Sequence, residues 1–380
     1  MYRHVRVDSP LGHRETRVVD RPRHPSHTDR VTDDVLLDAL DRLRGTGPEF
    51  DGFLANHGPM AAEALVRIGA AYAVPGWVDD YRTRLDAAPE VVRGIGDDWR
   101  EHLGDARLFG DWTAHLRREA GDTDWRTLLL RWWPRLLPGL AASATHGVIR
   151  TAHAVRSLRA AGPDPDPLLV DELAQGLAFW AARYQTVPGE PPLTGALDAV
   201  AATASLPRLD PDEPSDGPGI AGRLRVLGRL DGFPAGLDGW GPRLPSPDGA
   251  LDELIAAAAR VLAARDDAPI AFCHAVTAPA AVRLVLPELP DLLRRASVAA
   301  CWQVVGAIVA AFAVPVHVAE SVAVDTDPDP LLERLDPLAV EHGDEHVIKL
   351  TEAAGREYHR TGDTTLLVAA DRFRGRIPRA

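Results

Sequence analysis

Lys349 is the single lysine of a 380-residue chain whose 42 Lys and Arg positions are otherwise all arginine. It lies one helical turn after His346, in the run Asp344-Glu345-His346-Val347-Ile348-Lys349-Leu350. A desolvated amine can lose its proton and act as a nucleophile, whereas a guanidinium stays charged, so a retained lysine marks a place where a free amine has a use. The competing reading is an ordinary solvated side chain, because some position must hold the last lysine.

Five histidines lie in apolar or helix-forming surroundings, where a charged or unpaired imidazole is costly. His57 stands at the corner before Gly58-Pro59. His146 and His153 are seven residues apart on one expected helix, which places both on the same face two turns apart. His274 lies in the apolar run Ala271 to Thr277, and His346 shares a helix face with Lys349. Taken singly, each reads as a histidine bonded to a carbonyl. Taken together, neutral imidazoles from different helices can hold a transition metal, with Fe, Zn, Cu and Ni all compatible with the ligand type. Such a metal needs a counter-charge. Lys349 could supply it by capturing carbon dioxide as a carbamate. Asp344 and Glu345 compete for that role, but their places next to His346 turn them off its face. Five protein ligands on an octahedral metal leave one open position for dioxygen or Lewis-acid chemistry. His153 or Arg150 could then deprotonate or orient a substrate oxygen.

The elements that must carry these residues read as helices. Apolar stripes and punctuating Gly and Pro predict helices from Asp33, from Gly58 to Ala71, from Gly139 to Ala160 and from Pro167 to Tyr184. Further helices are expected at Leu251 to Ala264, Ala278 to Leu286, Leu293 to Ala313 and His342 to Thr361. Strand alternation is scarce. The expected fold is all-α: a flexible arm over residues 1–30, with His4, His13, His24 and His27 solvated, then one large helical catalytic domain with buried central helices over 31–380. His102, His115, His317, His342 and His359 sit among charged or loop residues and are expected to be solvated. Phe179, Trp180 and Trp302 read as core, with a pocket wall as the lesser alternative.

A formal charge of −13 argues against a basic nucleic-acid groove or a cationic membrane face. Two cysteines, Cys273 and Cys301, give neither a disulfide framework nor a cysteine zinc site, so a reducing cytoplasm is expected. No apolar signal-peptide core follows the first charges. The apolar run Ala299 to Val316 is interrupted by Gln303 and reads as a buried central helix rather than a bilayer span. No glycine-rich dinucleotide fingerprint follows a strand, which disfavours a resident flavin or nicotinamide.

The blocks Asn56-His57-Gly58-Pro59-Met60, His146-Gly147-Val148-Ile149-Arg150-Thr151-Ala152-His153, Phe272-Cys273-His274-Ala275-Val276-Thr277 and Asp344 to Lys349 together resemble the questin oxidase family, in an order that spans most of the chain. The resemblance implies oxygenation of anthraquinones or related aromatic polyketides, with ring opening or carbon–carbon cleavage. It also implies Fe(II) held by His57, His146, His274, His346 and a carboxylated Lys349, with a small aromatic substrate and dioxygen as partners. Two alternatives stand beside it. One is a metal-free enzyme using Lys349 as base or Schiff-base former, or running Baeyer–Villiger chemistry with a nicotinamide-dependent partner. The other is a helical binding protein with structural histidines.

Overall fold

The computed structural model describes residues 27–313 and 328–380. Helix α1 (His27–Leu43) begins inside the segment expected to be an arm; the rest of that arm, and His317, lie outside the described residues. A two-stranded antiparallel hairpin follows, β1 (Glu49–Phe50) and β2 (Leu54–Ala55), and is the only sheet among the described residues. Pro59 in the first turn of α2 (Gly58–Arg67) costs no helical hydrogen bond, so the Gly58-Pro59 corner starts that helix as expected. Next come α3 (Val74–Arg82), then α4 (Phe109–Asp122) and α5 (Trp125–Leu136), which take up most of the Trp-rich segment.

The centre is built from α6 (His146–Ala161), α7 (Pro167–Ala182), and, after the short α8 (Ala199–Ser205), α9 (Gly219–Arg225) and α10 (Phe233–Leu237), from α11 (Pro247–Ala264), α12 (Pro269–Val285) and α13 (Asp291–Phe312). The chain closes with α14 (Pro328–His342), α15 (Glu345–Thr361) and α16 (Thr365–Arg376). One contiguous apolar core runs from Leu36 to Phe373, so the fold is a single all-α domain with buried central helices. Helix α6 packs on α7, α12 and α2, and α15 packs on α2, α12, α14 and α16. The α6–α7 approach is close because Gly147 has no side chain: a Cβ there would lie 2.7 Å from the Trp180 Cα.

Several boundaries shift by a few residues, and two differ most from expectation. The helix expected from Gly139 starts only at His146, because Ser143, Ala144 and Thr145 have φ of 46°, 54° and 75° and form a left-handed turn. The helix expected from Ala278 starts instead at Pro269 and runs through Pro279. Burial of every residue from Ala271 to Val285 offsets the roughly 3 kcal/mol that an interior proline costs. The segments Pro269–Glu288 and Asp291–Phe312 are long and apolar enough to cross a membrane by composition, but 89% and 72% of their apolar windows are buried inside the fold.

Candidate metal centre

Four chain segments bring His57, His146, His274 and His346 together. Ring centroids are 4.4 Å apart for His57–His146, His57–His346 and His146–His274, and 5.6 Å apart for His274–His346. The ligand atoms of His57, His146 and His346 lie within 4.8 Å of one another. Metal–imidazole bonds of about 2.0–2.1 Å put trans nitrogens about 4.2 Å apart, so a small contraction would seat an ion. Lys349 joins them: its Nζ is 3.3 Å from His57 Nδ1, and no carboxylate among the described residues forms a salt bridge with it.

Each histidine is held by a turn or helix cap, its own or a neighbour's. His57 is the N-cap of α2; its N–H donates to the Tyr81 hydroxyl at 2.8 Å, and Asn56 clamps the corner by accepting from Gly58 N and donating to the Gly47 carbonyl. The left-handed turn at Ser143 to Thr145 places the Ser143 carbonyl 2.5 Å from His146 Nδ1 and the Thr145 hydroxyl 3.2 Å from His274 Nδ1. Three consecutive non-glycine residues in this region cost roughly 1–3 kcal/mol each, a strain that tends to be retained where it aims a functional group. Donation from His146 Nδ1 to Ser143 fixes the tautomer and leaves Nε2 a bare lone pair. Nε2 of both His146 and His274 is buried without a hydrogen-bond partner. Asp344 caps α15 by accepting from His346 N and Val347 N, and its Oδ1 stands 3.7 Å from His346 Nδ1.

The electrostatics favour neutral donors. Burial, reinforced by Lys349 and the neighbouring imidazoles, holds His57, His146 and His274 well below the usual imidazole range. Burial also pulls the Lys349 amine down to about 8. Orphaned imidazole nitrogens, neutral rings and a buried amine drawn toward its neutral form fit a transition metal with a histidine-rich donor set.

The site opens onto a cavity of about 340 Å³. Its floor carries His57, His146, His274 and His346; Lys349 is not part of the wall and stands behind His57. Glu345, expected to face away, is instead in the wall, with Oε1 3.6 Å from His57 Nδ1 and Oε2 3.6 Å from Arg84. The residue beside His346 reaches the site because it lies four residues before Lys349, on the same side of α15, and both meet His57. Tyr81 was also not foreseen.

Arg150 and His153, expected to take part in substrate chemistry, are not in this wall. Arg150 is committed to a buried fork with Glu172, at 2.6 and 2.8 Å, and to Gln175. His153 Nδ1 lies 2.8 Å from Glu63. Glu63 also receives Arg67 and Arg156, and Arg156 extends to Glu352. This chain of charges links α2, α6 and α15, the helices that carry His57, His146 and the His346–Lys349 pair. Burial alone would raise Glu63, but Arg156 and His153 hold it well below the carboxylate range; Arg356 and Arg156 likewise overcome burial to bring Glu352 to about 2.

Of His102, His115, His342 and His359, all expected to be solvated, His359 is exposed and the other three are not. His102, His115 and His342 are buried against Asp98 and Arg93, the Ile95 carbonyl and Glu119, and the Ile377 carbonyl. Phe179, Trp180 and Trp302 are core and do not line the cavity.

No protein-family model matches this chain, and no curated protein matches it in sequence.

Proposed function

We propose that this protein is a non-haem iron oxygenase of the questin oxidase type, acting in the cytoplasm on an aromatic polyketide to open a ring or cleave a carbon–carbon bond. In this reading His57, His146, His274, His346 and Lys349, carboxylated on Nζ, hold Fe(II). The observation that carries it is the pair of buried, partnerless Nε2 atoms on His146 and His274, in a cluster of imidazoles drawn from four segments.

The bound iron would supply the one-electron chemistry toward dioxygen that side chains lack. The chain's own residues do the rest. The Ser143 carbonyl and Thr145 hydroxyl fix ring orientation at His146 and His274, and the α15 cap fixes His346. The apolar wall, including Phe50, Leu54 and Ile270, receives a flat hydrophobic substrate and excludes water from the floor. A cavity of about 340 Å³ falls in the lower part of the range for small-molecule sites, roughly 300–1,000 Å³. Glu345 stands in the wall where it can accept a hydrogen bond from a substrate hydroxyl. Schiff-base chemistry at Lys349 is disfavoured because the amine lies behind His57, off the cavity surface.

The test is metal quantification on protein purified without added metal, beside the variants His274→Ala and Lys349→Arg. The expected result is near-stoichiometric iron in the parent and at least a tenfold loss of affinity in each variant, on the order of the loss for removing a ligand or its support. Protein loaded with ¹³C-bicarbonate should also show a carbamate carbon resonance that disappears in Lys349→Arg. A metal-free protein that turns over aromatic substrates sinks the reading.

A further inference from the structure

We infer that the substrate carries a carboxylate at the end remote from the imidazole cluster, and that Arg225 receives it at the cavity rim; the inference rests on the oxygenase reading above. The cavity grades from a buried, imidazole-lined floor to a rim where Arg225 is exposed. Between them the wall is largely apolar, with Phe53, Leu54 and Ile220 near the opening. Two arginines line it. Arg183 is neutralised by an ion pair with Glu49, itself a wall residue, so it offers no net charge to a ligand. Arg225 has no carboxylate partner among the described residues.

Arg225 is nonetheless held in place. Its Nη1 donates to the Asp216 carbonyl at 3.0 Å, and Nε and Nη2 have no protein partner among the described residues. The loop that supplies this carbonyl is tightly closed: Asp216 N donates to the Gly222 carbonyl, and Gly217 has a φ of +121° with Arg225 Nη1 3.0 Å from where its Cβ would stand. Ordering a long side chain before the ligand arrives lowers the entropy cost of binding. The free edge of a guanidinium matches the two oxygens of a carboxylate, a match that an ammonium reproduces only as a point charge. An amide or ester of the same acid would occupy the apolar wall equally well and lose this contact.

The test uses anthraquinone-2-carboxylate and anthraquinone-2-carboxamide as probes, titrated calorimetrically into the full chain and its Arg225→Gln and Arg225→Lys variants, with iron measured in each preparation. Arg225→Gln should weaken the carboxylate about tenfold and the carboxamide less than twofold, the low end for a charge-assisted bond at a solvent-touching site. Arg225→Lys should recover only part of the loss. Equal weakening of both probes, no weakening of the carboxylate, or no binding of either probe to the parent overturns the inference. Discrimination between the probes in protein that holds no iron would leave this inference standing and remove the oxygenase reading. Stoichiometric iron without discrimination would do the reverse.

Discussion

Replacing Arg156 by methionine tests whether the buried charges fasten together the helices that carry the imidazole cluster. Arg156 bridges Glu63 on α2 and Glu352 on α15 from its own place on α6, and both carboxylates are nearly sealed from solvent, with side-chain exposures of 3% and 6%. Breaking a buried pair by removing one partner typically costs about 3–5 kcal/mol, because the remaining charge is stranded. The lower end applies here. Glu63 keeps Arg67 at 2.8 Å and His153 at 2.8 Å, and Glu352 keeps Arg356 at 3.0 Å. With an unfolding entropy of about 2.1 cal/mol/K per residue, a chain of 380 residues changes stability by about 0.8 kcal/mol per kelvin near its midpoint, so a loss of about 3 kcal/mol lowers Tm by about 4 °C. Differential scanning calorimetry of metal-free protein reads this directly. Adding Glu63→Gln and Glu352→Gln to Arg156→Met should recover more than half of the loss, since neutral groups in place of a buried ionic cluster are often tolerated. Iron affinity should fall in Arg156→Met and return in the triple variant, because the helices so joined deliver His57, His146, His346 and Lys349. A Tm within about 1 °C of the parent would refute the cost assigned to stranding these charges. A lowered Tm with unchanged iron affinity would show that the charges stabilise the fold without positioning the imidazoles.

Gly147→Ala should destabilise by about 1–3 kcal/mol in chemical denaturation, because the new Cβ meets the Trp180 backbone at 2.7 Å and backbone cannot yield as a side-chain tip can. Gly355→Ala is the control: that helical glycine has open space around it, so the substitution should stabilise by about 0.5–1 kcal/mol through helix propensity alone. Acid should find Glu352. Its carboxyl is depressed from 4.5 to about 2, so its contribution of about 3 kcal/mol is present above the ordinary carboxylate value and is lost as pH falls through the folded one. Denaturant midpoints measured at pH 5 and pH 2.5 should therefore differ less in Glu352→Gln than in the parent, and an equal difference would exclude this carboxylate as a source of acid sensitivity.

The helices were legible where an apolar run was set off by Gly or Pro, as in the segments that became α2, α7 and α11. They were not legible where tertiary packing decides. Pro279 looks like a helix start because an isolated chain would break there; inside the fold, neighbours on every side keep the helix running through it. The turn before His146 carries no glycine or asparagine to announce its left-handed backbone, and Ser143, Ala144 and Thr145 fit a helix equally well by propensity. Residue type pointed to imidazoles in apolar segments as candidates for one cluster, His153 among them; the set His57, His146, His274, His346 and Lys349 was what the family resemblance implied. The fate of Arg150 and His153 could not be anticipated, since the buried carboxylates that claim them, Glu172 and Glu63, lie on other helices and carry no local mark.

Glu345 shows that the reference residue decides what a helical face contains. Judged from its neighbour His346, Glu345 lies off the face. Judged from Lys349, four residues on, it lies on the same side of α15. The two meet at His57, with Glu345 Oε1 3.6 Å and Lys349 Nζ 3.3 Å from the same Nδ1. One imidazole is thus gripped by a carboxylate and an amine from a single turn of α15, and neither satisfies the other by a salt bridge. A bound cation would draw the carboxylate toward itself, and conversion of the amine to a carbamate would replace the one positive charge in the cluster by a negative one. Both changes act in the same direction, toward compensating a metal that four neutral rings leave unbalanced.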